Sequence, residues 1–255
     1  MASILDRYGI KEVADVVFYE ITDDGVGAPV LYLDSLKVST LEQTGDLVYA
    51  QGGKGNARLI AWDTNKAITL TLEDALFSPK SMAIMFGSKD GKVDETTGTI
   101  KKTVQFVATA NSTAPSTYIN AAGVEVNWPT SSSVTYYDAT GTSLTVDSIK
   151  KDDPYFATFD VSASGKIKTI EISPNQFPGT YYITGDTYAR SEKTGKDECF
   201  QFIVHKGKIT SANTITMQAD GDPSTFTMTV ECLRATSSDG KPVMIELKQY
   251  DLGNA

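Results

Sequence analysis

Gly52, Gly53, Lys54 and Gly55, in the stretch "LVYAQGGKGNARLIAWD", set three glycines and a lysine between two apolar runs, the composition of a phosphate-binding loop. Such a loop works because a helix follows the glycines and turns its free N–H groups and positive dipole end toward the phosphates. Here "ARLIAWD" follows, which does not begin a helix. No Ser or Thr succeeds Lys54 to ligate magnesium, and the G-x-G-x-x-G spacing is missing. Glycines clustered between strands are ordinarily turns or bulges, so architecture has to account for these three.

The other residues with chemical capacity are sparse. His205 is the only histidine, which excludes histidine-rich metal sites and leaves a Ser-His-Asp arrangement dependent on a residue beside "KGK". Zinc held by Cys199, Cys232 and His205 would lack a fourth strong ligand and the usual close cysteine pairing. A polysaccharide hydrolase needs two carboxylates on opposite sides of a sugar, but Asp23 with Asp24 and Asp152 with Asp153 sit beside Gly or Pro in evident turns. Asp220, Asp222, Ser224 and Glu231 fall at positions 1, 3, 5 and 12 of a calcium-loop register. That register puts Thr225 where the sharp turn needs glycine, and the alternation after it reads as strand. No catalytic, metal or cofactor site emerges, and the sequence points away from an enzyme.

Composition sets the frame for what must hold these residues. The chain has 255 residues, 40% hydrophobic and 22% charged, enough to bury a substantial core. Lys plus Arg number 23 against 32 Asp plus Glu, a net charge of −9, which argues against gripping a phosphate backbone. "MASILDRYGIKEV" has Asp6 and Arg7 where a signal peptide needs an unbroken apolar run, and no later run is long and apolar enough to span a bilayer. Synthesis in a cytoplasm is the expectation, with Cys199 and Cys232 as buried thiols on strands.

Alternation dominates the chain. In "KAITLTLEDA", Ile68, Leu70 and Leu72 share one face and Thr69 and Thr71 the other. In "STFTMTVECL", Phe226, Met228, Val230 and Cys232 oppose Thr225, Thr227, Thr229 and Glu231. "KIKTIEIS", "GTYYITGD", "DECFQFIV", "NTITMQA" and "PVMIELKQY" read as further strands, while "NQFPG", "KTGKD", "HKGK" and "DGDPS" read as turn-forming links. The expectation is an all-β chain, an antiparallel sandwich or barrel. One helix interrupts it, over about 79–86. Ser78 is its N-cap, Pro79 its first residue, Met82, Met85 and Phe86 its apolar stripe, and Gly87 its end. So short a helix must pack on a sheet or a neighbouring subunit. The 255 residues read as one domain. Within it, about 108–165 changes to Ser, Thr, Ala and Asn with Tyr118, Trp128, Tyr136 and Tyr137 interspersed, either an elaboration outside the core or more β-structure.

The runs "QGGKGNARLIAWDTNKAITLTLEDALFSPKSMAIMFG", "ISPNQFPGTYYITGDTYARSEKTGKDECFQFIV" and "TITMQADGDPSTFTMTVECLR" resemble bacteriophage virion structural proteins, specifically tail tube (major tail) proteins, over roughly 45–90 and 165–250. The resemblance implies a β-sandwich or barrel with a flanking helix. It implies hexameric rings stacked into a hollow tube, with other tail proteins and in some tails a sheath as partners, and genomic DNA passing through the lumen without tight binding. It places the protein in the virion tail, assembled in the host bacterial cytoplasm without cofactor, metal or membrane. Gly52, Gly53 and Gly55 then become subunit-interface candidates, with Met82, Met85 and Phe86 of the helix, and the Thr-rich strand faces candidates for a lumen wall. Six copies would carry a charge of roughly −54, and an acidic wall avoids holding DNA by counterion release. The chain is long for a minimal tube subunit. The competing reading is a host-surface or carbohydrate-binding β-module, with exposed Trp128, Tyr136 and Tyr137 as its stacking platform.

Overall fold

The computed structural model describes residues 7–88, 93–130, 134–163, 165–210, 214–215, 225–237 and 239–250. The chain forms two compact units: Met1–Val93 with Ile170–Ala255, and Asp94–Thr169. Unit 1 opens with β1 (Tyr8–Ile10), β2 (Asp15–Thr22), β3 (Gly25–Leu33), β4 (Leu36–Gly52), β5 (Ala57–Asp74) and α1 (Pro79–Met85). Unit 2 carries β6 (Asp94–Thr96), β7 (Thr99–Val107), β8 (Thr117–Ile119), β9 (Glu125–Asn127), β10 (Thr135–Asp138), β11 (Ser143–Leu144), β12 (Pro154–Ser162) and β13 (Ile167–Thr169). Unit 1 resumes with β14 (Thr180–Ser191), β15 (Asp197–Ile209), β16 (Thr214–Ile215), β17 (Phe226–Cys232), β18 (Ala235–Thr236), β19 (Pro242–Val243) and β20 (Ile245–Tyr250). The fold is all-β and antiparallel, with a single short α-helix among the described residues.

The main sheet of unit 1 runs β3-β2-β14-β15-β17-β5-β4, with β1 on β14, β16 on β17 and β20 on β15. Its two end strands, β3 and β4, are consecutive in the chain, joined only by Asp34 and Ser35, so the sheet has to curl until its ends meet. The alternating apolar residues fall on the inside of that curl: Val16, Phe18, Leu31, Leu70, Leu72, Ile183, Val204, Met228 and Val230 form one buried cluster. Gly185 lies directly opposite Phe202 in the ladder, and the Phe202 ring occupies the space where a Cβ would be, with ring atoms 2.1–2.8 Å from that position.

The segment "HKGK" is not a link. β15 passes straight through it to Ile209. Gly207 serves close packing instead of a turn, since a Cβ there would meet Val230 Cγ1 at 2.7 Å and Ile183 Cδ1 at 2.8 Å. "KIKTIEIS" yields only the three-residue β13, and most of "NTITMQA" and "DGDPS" lies outside the described residues.

α1 begins where Ser78 and Pro79 predict. Ser81 N donates to Ser78 Oγ at 3.0 Å, and Ser78 N donates to Ser81 Oγ at 2.9 Å, a reciprocal cap. The helix ends one residue earlier than expected, with Phe86 as its C-cap. Gly87 adopts φ 67°, and the backbone of Phe177 and Pro178 comes within 2.4–2.9 Å of where its Cβ would stand. Ile84 and Met85 reach deepest into the core, while Met82 and Phe86 pack at its margin.

In unit 2 a four-stranded sheet, β11-β10-β12-β7, packs one face into an aromatic cluster of Tyr118, Tyr136, Tyr155 and Phe159, with Phe106 and Trp128 against it. β6 and β13, where the chain enters and leaves, pair directly from Thr96↔Ile167 to Asp94↔Thr169. Lys166 and Lys168 reach Glu95 across them at 3.5 and 3.8 Å.

Candidate functional site

The glycine loop of the opening stretch is the tip of an arm. Gly52 ends β4, and Gly53, Gly55 and Asn56 take φ of 76°, 86° and 51°, with Asn56 N donating to Gly53 O at 3.2 Å. Left-handed backbone at these positions explains Gly53 and Gly55 without any ligand. β5, a strand, follows the loop, so no helix N-terminus faces it and the phosphate reading has no physical basis.

β4 and β5 are 17 and 18 residues long. Only their proximal parts join the curled sheet; from Leu41 to Ala67 the two strands are exposed almost throughout. The departure is marked by an irregular register between Thr44↔Ala67 and Asp46↔Thr64. There Asn65 adopts φ 52° and its Nδ2 donates to Asp46 Oδ2 at 3.0 Å, so a bulge sets the direction of the arm.

Directly opposed residues in a ladder share a face. Val48 opposes Trp62 and Ala50 opposes Ile60, so one face of the arm is an apolar stripe, which Leu59 extends beside Gly52. Leu59 is 66% and Trp62 51% exposed. The other face is mixed, pairing Leu47 with Asp63 and Tyr49 with Ala61, and Arg58 lies 4.1 Å over the Tyr49 ring. A two-stranded ribbon of this kind is marginal alone in water, and a contiguous apolar stripe on it marks a contact surface.

A second feature lies on the outer face of β4, β5 and β17. The ladder aligns Thr40, Thr71 and Thr229 in one row, Glu42, Thr69 and Glu231 in the next, and Val38, Glu73 and Thr227 in a third. No cation stands in these nine positions. Lys208 continues the second row opposite Glu231, but its ammonium donates to the Pro178 carbonyl oxygen. Farther along the same sheet Asp15 and Asp186 stand directly opposite each other, an arrangement that costs stability. Neutral donors satisfy both: Tyr32 OH to Asp15 Oδ2 at 3.3 Å and Gln201 Nε2 to Asp186 Oδ1 at 2.7 Å. The Coulombic field of Asp15, followed by desolvation, the hydrogen bond to Asp15, and Asp34 and Asp186, raises the pKa of the Tyr32 phenol.

The remaining candidates resolve into structure. His205, on β15, has Nε2 3.0 Å from Glu246 Oε1. That approach lacks hydrogen-bond geometry at Nε2, so it is a close contact rather than a hydrogen bond, and the edge-on Tyr182 ring lies 5.6 Å away. Lys248 and then His205 hold the Glu246 carboxyl below its ordinary pKa, against desolvation. Both cysteines are free; Cys232 is buried, whereas Cys199 is only half-buried, not the fully buried thiol its strand position suggests. Burial pushes the Cys232 thiol up to about 11. Among the described residues no three His, Cys, Asp or Glu gather as a metal site. Glu231 sits on a strand, and Asp220, Asp222 and Ser224 lie outside the described residues. Among the described residues no helix is long and apolar enough to cross a membrane.

Of the interface candidates, Gly52, Gly53 and Gly55 lie at the arm tip, Met82 and Phe86 are half-buried, and Met85, at 2% exposure, is committed to this subunit's own core. The aromatic platform is broken up: Tyr136 is buried, Trp128 is half-buried against the same cluster, and Tyr137, the next residue on β10, is half-buried on the other face of its strand. Tyr136 is 5% exposed, Trp128 Nε1 donates to its hydroxyl at 3.3 Å, and Trp128 packs on Phe106, Tyr118 and Phe159. The apolar stripe of the arm was missed by sequence reasoning, although the matched apolar runs on both sides of the glycines carried the signal.

A curled all-β body with a long exposed arm, an acidic and threonine-rich outer face and no gathered metal ligands among its described residues has the equipment of a protein that works by association with other chains. The family model described as the YomU/Tube protein family matches residues 8–247, and the chain belongs to that family. It is thus a member of the phage tail tube proteins, structural components of the virion. No curated protein matches the chain.

Proposed function

We propose that unit 1 builds the wall of a hollow phage tail tube, assembling with copies of itself into stacked six-membered rings, and that the Thr and Glu face of β4, β5 and β17 lines the channel through which the genome passes. The observation that carries this reading is the face itself: nine aligned positions with three glutamates and no lysine or arginine. A basic wall would hold each phosphate by releasing its counterions, whereas hydroxyls and carboxylates offer DNA no such well. The exposed apolar arm supports self-association, since burying it supplies the tertiary contacts a lone ribbon lacks. Other tail proteins are the partners at the ends of the tube.

Electron microscopy of the purified protein tests the reading. Hollow rings or tubes are expected, with the reversal of Glu42, Glu73 and Glu231 to lysine leaving them intact. A protein that stays monomeric at every concentration, or that assembles into solid particles without a channel, overturns it. The glycan-binding alternative is weakened, because Tyr136 and much of Trp128 pack into the core of unit 2 and leave Tyr137 without a neighbouring stacking partner from the expected set.

A further inference from the structure

The face of the unit 2 sheet that turns away from the aromatic cluster is open. Across β11, β10, β12 and β7 the ladders align Ser143, Tyr137, Phe156 and Gln105 in one row, and Thr135, Thr158 and Thr103 in the next. Pro154 and Val107 oppose each other on one side of these rows, Asp160 and Lys101 on the other. Along their strands these positions alternate with the buried Tyr136, Tyr155, Ala157 and Phe159, so their side chains stand on the opposite surface. Tyr137 thus has a stacking neighbour that the polar texture of the segment does not single out: Phe156, directly across the ladder, with the two Cβ atoms about 5 Å apart. Both rings are partly exposed, and Ser143, Gln105, Thr135 and Thr103 around them are exposed.

The two rings offer a flat apolar surface with a negative π face, and the side chains around them are hydroxyls and one carboxamide, groups that both donate and accept hydrogen bonds. The Thr103 and Thr158 hydroxyls stand 3.2 Å apart within their row. The inner tyrosines spend their hydroxyls inside the fold, Tyr136 accepting from Trp128 Nε1 and Tyr155 from the Lys150 amide. The Tyr137 hydroxyl has no such partner among the described residues. Charge is confined to the margin, where Asp160 directly opposes Lys101 and the two offset each other. A ligand that matches this face carries apolar C–H surface on one side, hydroxyls around its edge and no net charge. We infer that the outer face of the unit 2 sheet binds neutral oligosaccharide, with a sugar ring lying on Tyr137 and Phe156 and its hydroxyls reaching Gln105, Ser143 and the threonine row. Of the platform expected from the sequence, only Tyr137 belongs to this site.

Size favours a sugar over a protein as the occupant. Four strands at about 4.8 Å spacing are about 19 Å across, and three rows about 7 Å apart extend about 20 Å, roughly 400 Å² in all. A stable protein interface buries about 800 Å² per partner around an apolar centre, and the hydroxyl row leaves only part of this smaller face apolar. A short oligosaccharide needs no more than this area. Lying on an open face instead of in a cavity, it is held weakly by one site, and many copies of the chain presented together hold a polysaccharide firmly. Only that last step rests on the tube reading; the single site stands without it.

The test uses the full-length chain on immobilised glycans: cellulose, chitin, starch and mannan as neutral probes, hyaluronan and polygalacturonate as charged ones. At least one neutral probe should retain the protein, and the charged ones should not. Tyr137→Ala and Phe156→Ala should each weaken that retention roughly tenfold, because each removes one ring of the pair, whereas Lys101→Ala at the margin should leave it unchanged. Near-ultraviolet circular dichroism of the inner cluster of Tyr118, Trp128 and Phe159 reports whether unit 2 stays packed. Should an alanine variant fail to fold, Tyr137→Leu and Phe156→Leu keep most of the volume without a π face and should show the same loss. No retention on any neutral probe, retention on charged probes alone, or retention indifferent to both Tyr137 and Phe156 overturns the inference. A chain that binds a neutral probe through these residues yet never forms a hollow assembly would instead sink the tube reading and leave the site standing.

Discussion

Cutting out Asp94–Thr169 and joining Val93 to Ile170 through a two-residue Gly-Ser link should leave unit 1 folded and able to assemble. The two residues at the cut, Asp94 and Thr169, are direct ladder partners, so their Cα atoms stand about 5 Å apart, and two residues span that gap with ease. Every member of the buried cluster of unit 1 lies outside the excised stretch, and every member of the aromatic cluster lies inside it. The ion pairs removed, Glu95 with Lys166 and Lys168, are exposed and contribute little. The remaining effect is chain connectivity. While unit 2 is folded it behaves as a short loop and its loss changes nothing. If unit 2 melts first, unit 1 must close a loop of about 75 residues, and shortening that to two recovers about 3 kcal/mol. At about 2–4 °C per kcal/mol for a body of 150–250 residues, the midpoint of the unit 1 transition should lie between unchanged and roughly 10 °C higher. Circular dichroism during heating measures the midpoint, and microscopy measures assembly. A fall of 5 °C or more, or a chain that aggregates, would refute the claim that the insert is a separable module.

Three further outcomes follow from particular side chains. Reversing Glu42, Glu73 and Glu231 to lysine in a phage should slow genome ejection while tubes form normally, with the defect relieved by salt at a slope of about 0.9 per new phosphate contact; normal ejection at low salt would show that these residues do not face DNA. Gly185→Ala pushes a methyl group into the Phe202 ring and should destabilise by about 1–3 kcal/mol, partly recovered by adding Phe202→Leu; an unchanged melting point would mean the sheet can yield there. The Cys232 thiol holds its proton up to about 11 in the fold, against 9.0 in its ordinary state. Between these values unfolding therefore releases a proton, and stability falls as pH rises. Cys232→Ala should flatten that fall, and native protein at pH 8 should resist alkylation at Cys232; rapid modification without unfolding would contradict its burial.

Much of unit 1 was legible because its determinants are local. A strand with one buried face must alternate, so "KAITLTLEDA" and "STFTMTVECL" identified β5 and β17 and which of their residues point inward. Ser78 and Pro79 marked the helix start because both act within a single turn. Acidic composition argued against a phosphate-gripping surface. Tertiary structure decided whatever depends on a distant segment. Gly207 and Gly53 look alike in sequence, yet one yields space to Val230 and Ile183 and the other supplies a left-handed turn; only the packed neighbour distinguishes them. Trp128 and Tyr136 read as surface aromatics because their loop is polar, but a Trp whose N–H finds a phenol oxygen can be buried, and that pairing is not a local property. The Thr and Glu face exists only as a register: Glu42 and Glu231 are far apart in sequence and come to share a row through Thr69. Each strand's amphipathic pattern told it which side to bury, but nothing within a strand specifies its neighbour, and a sheet face is made of neighbours.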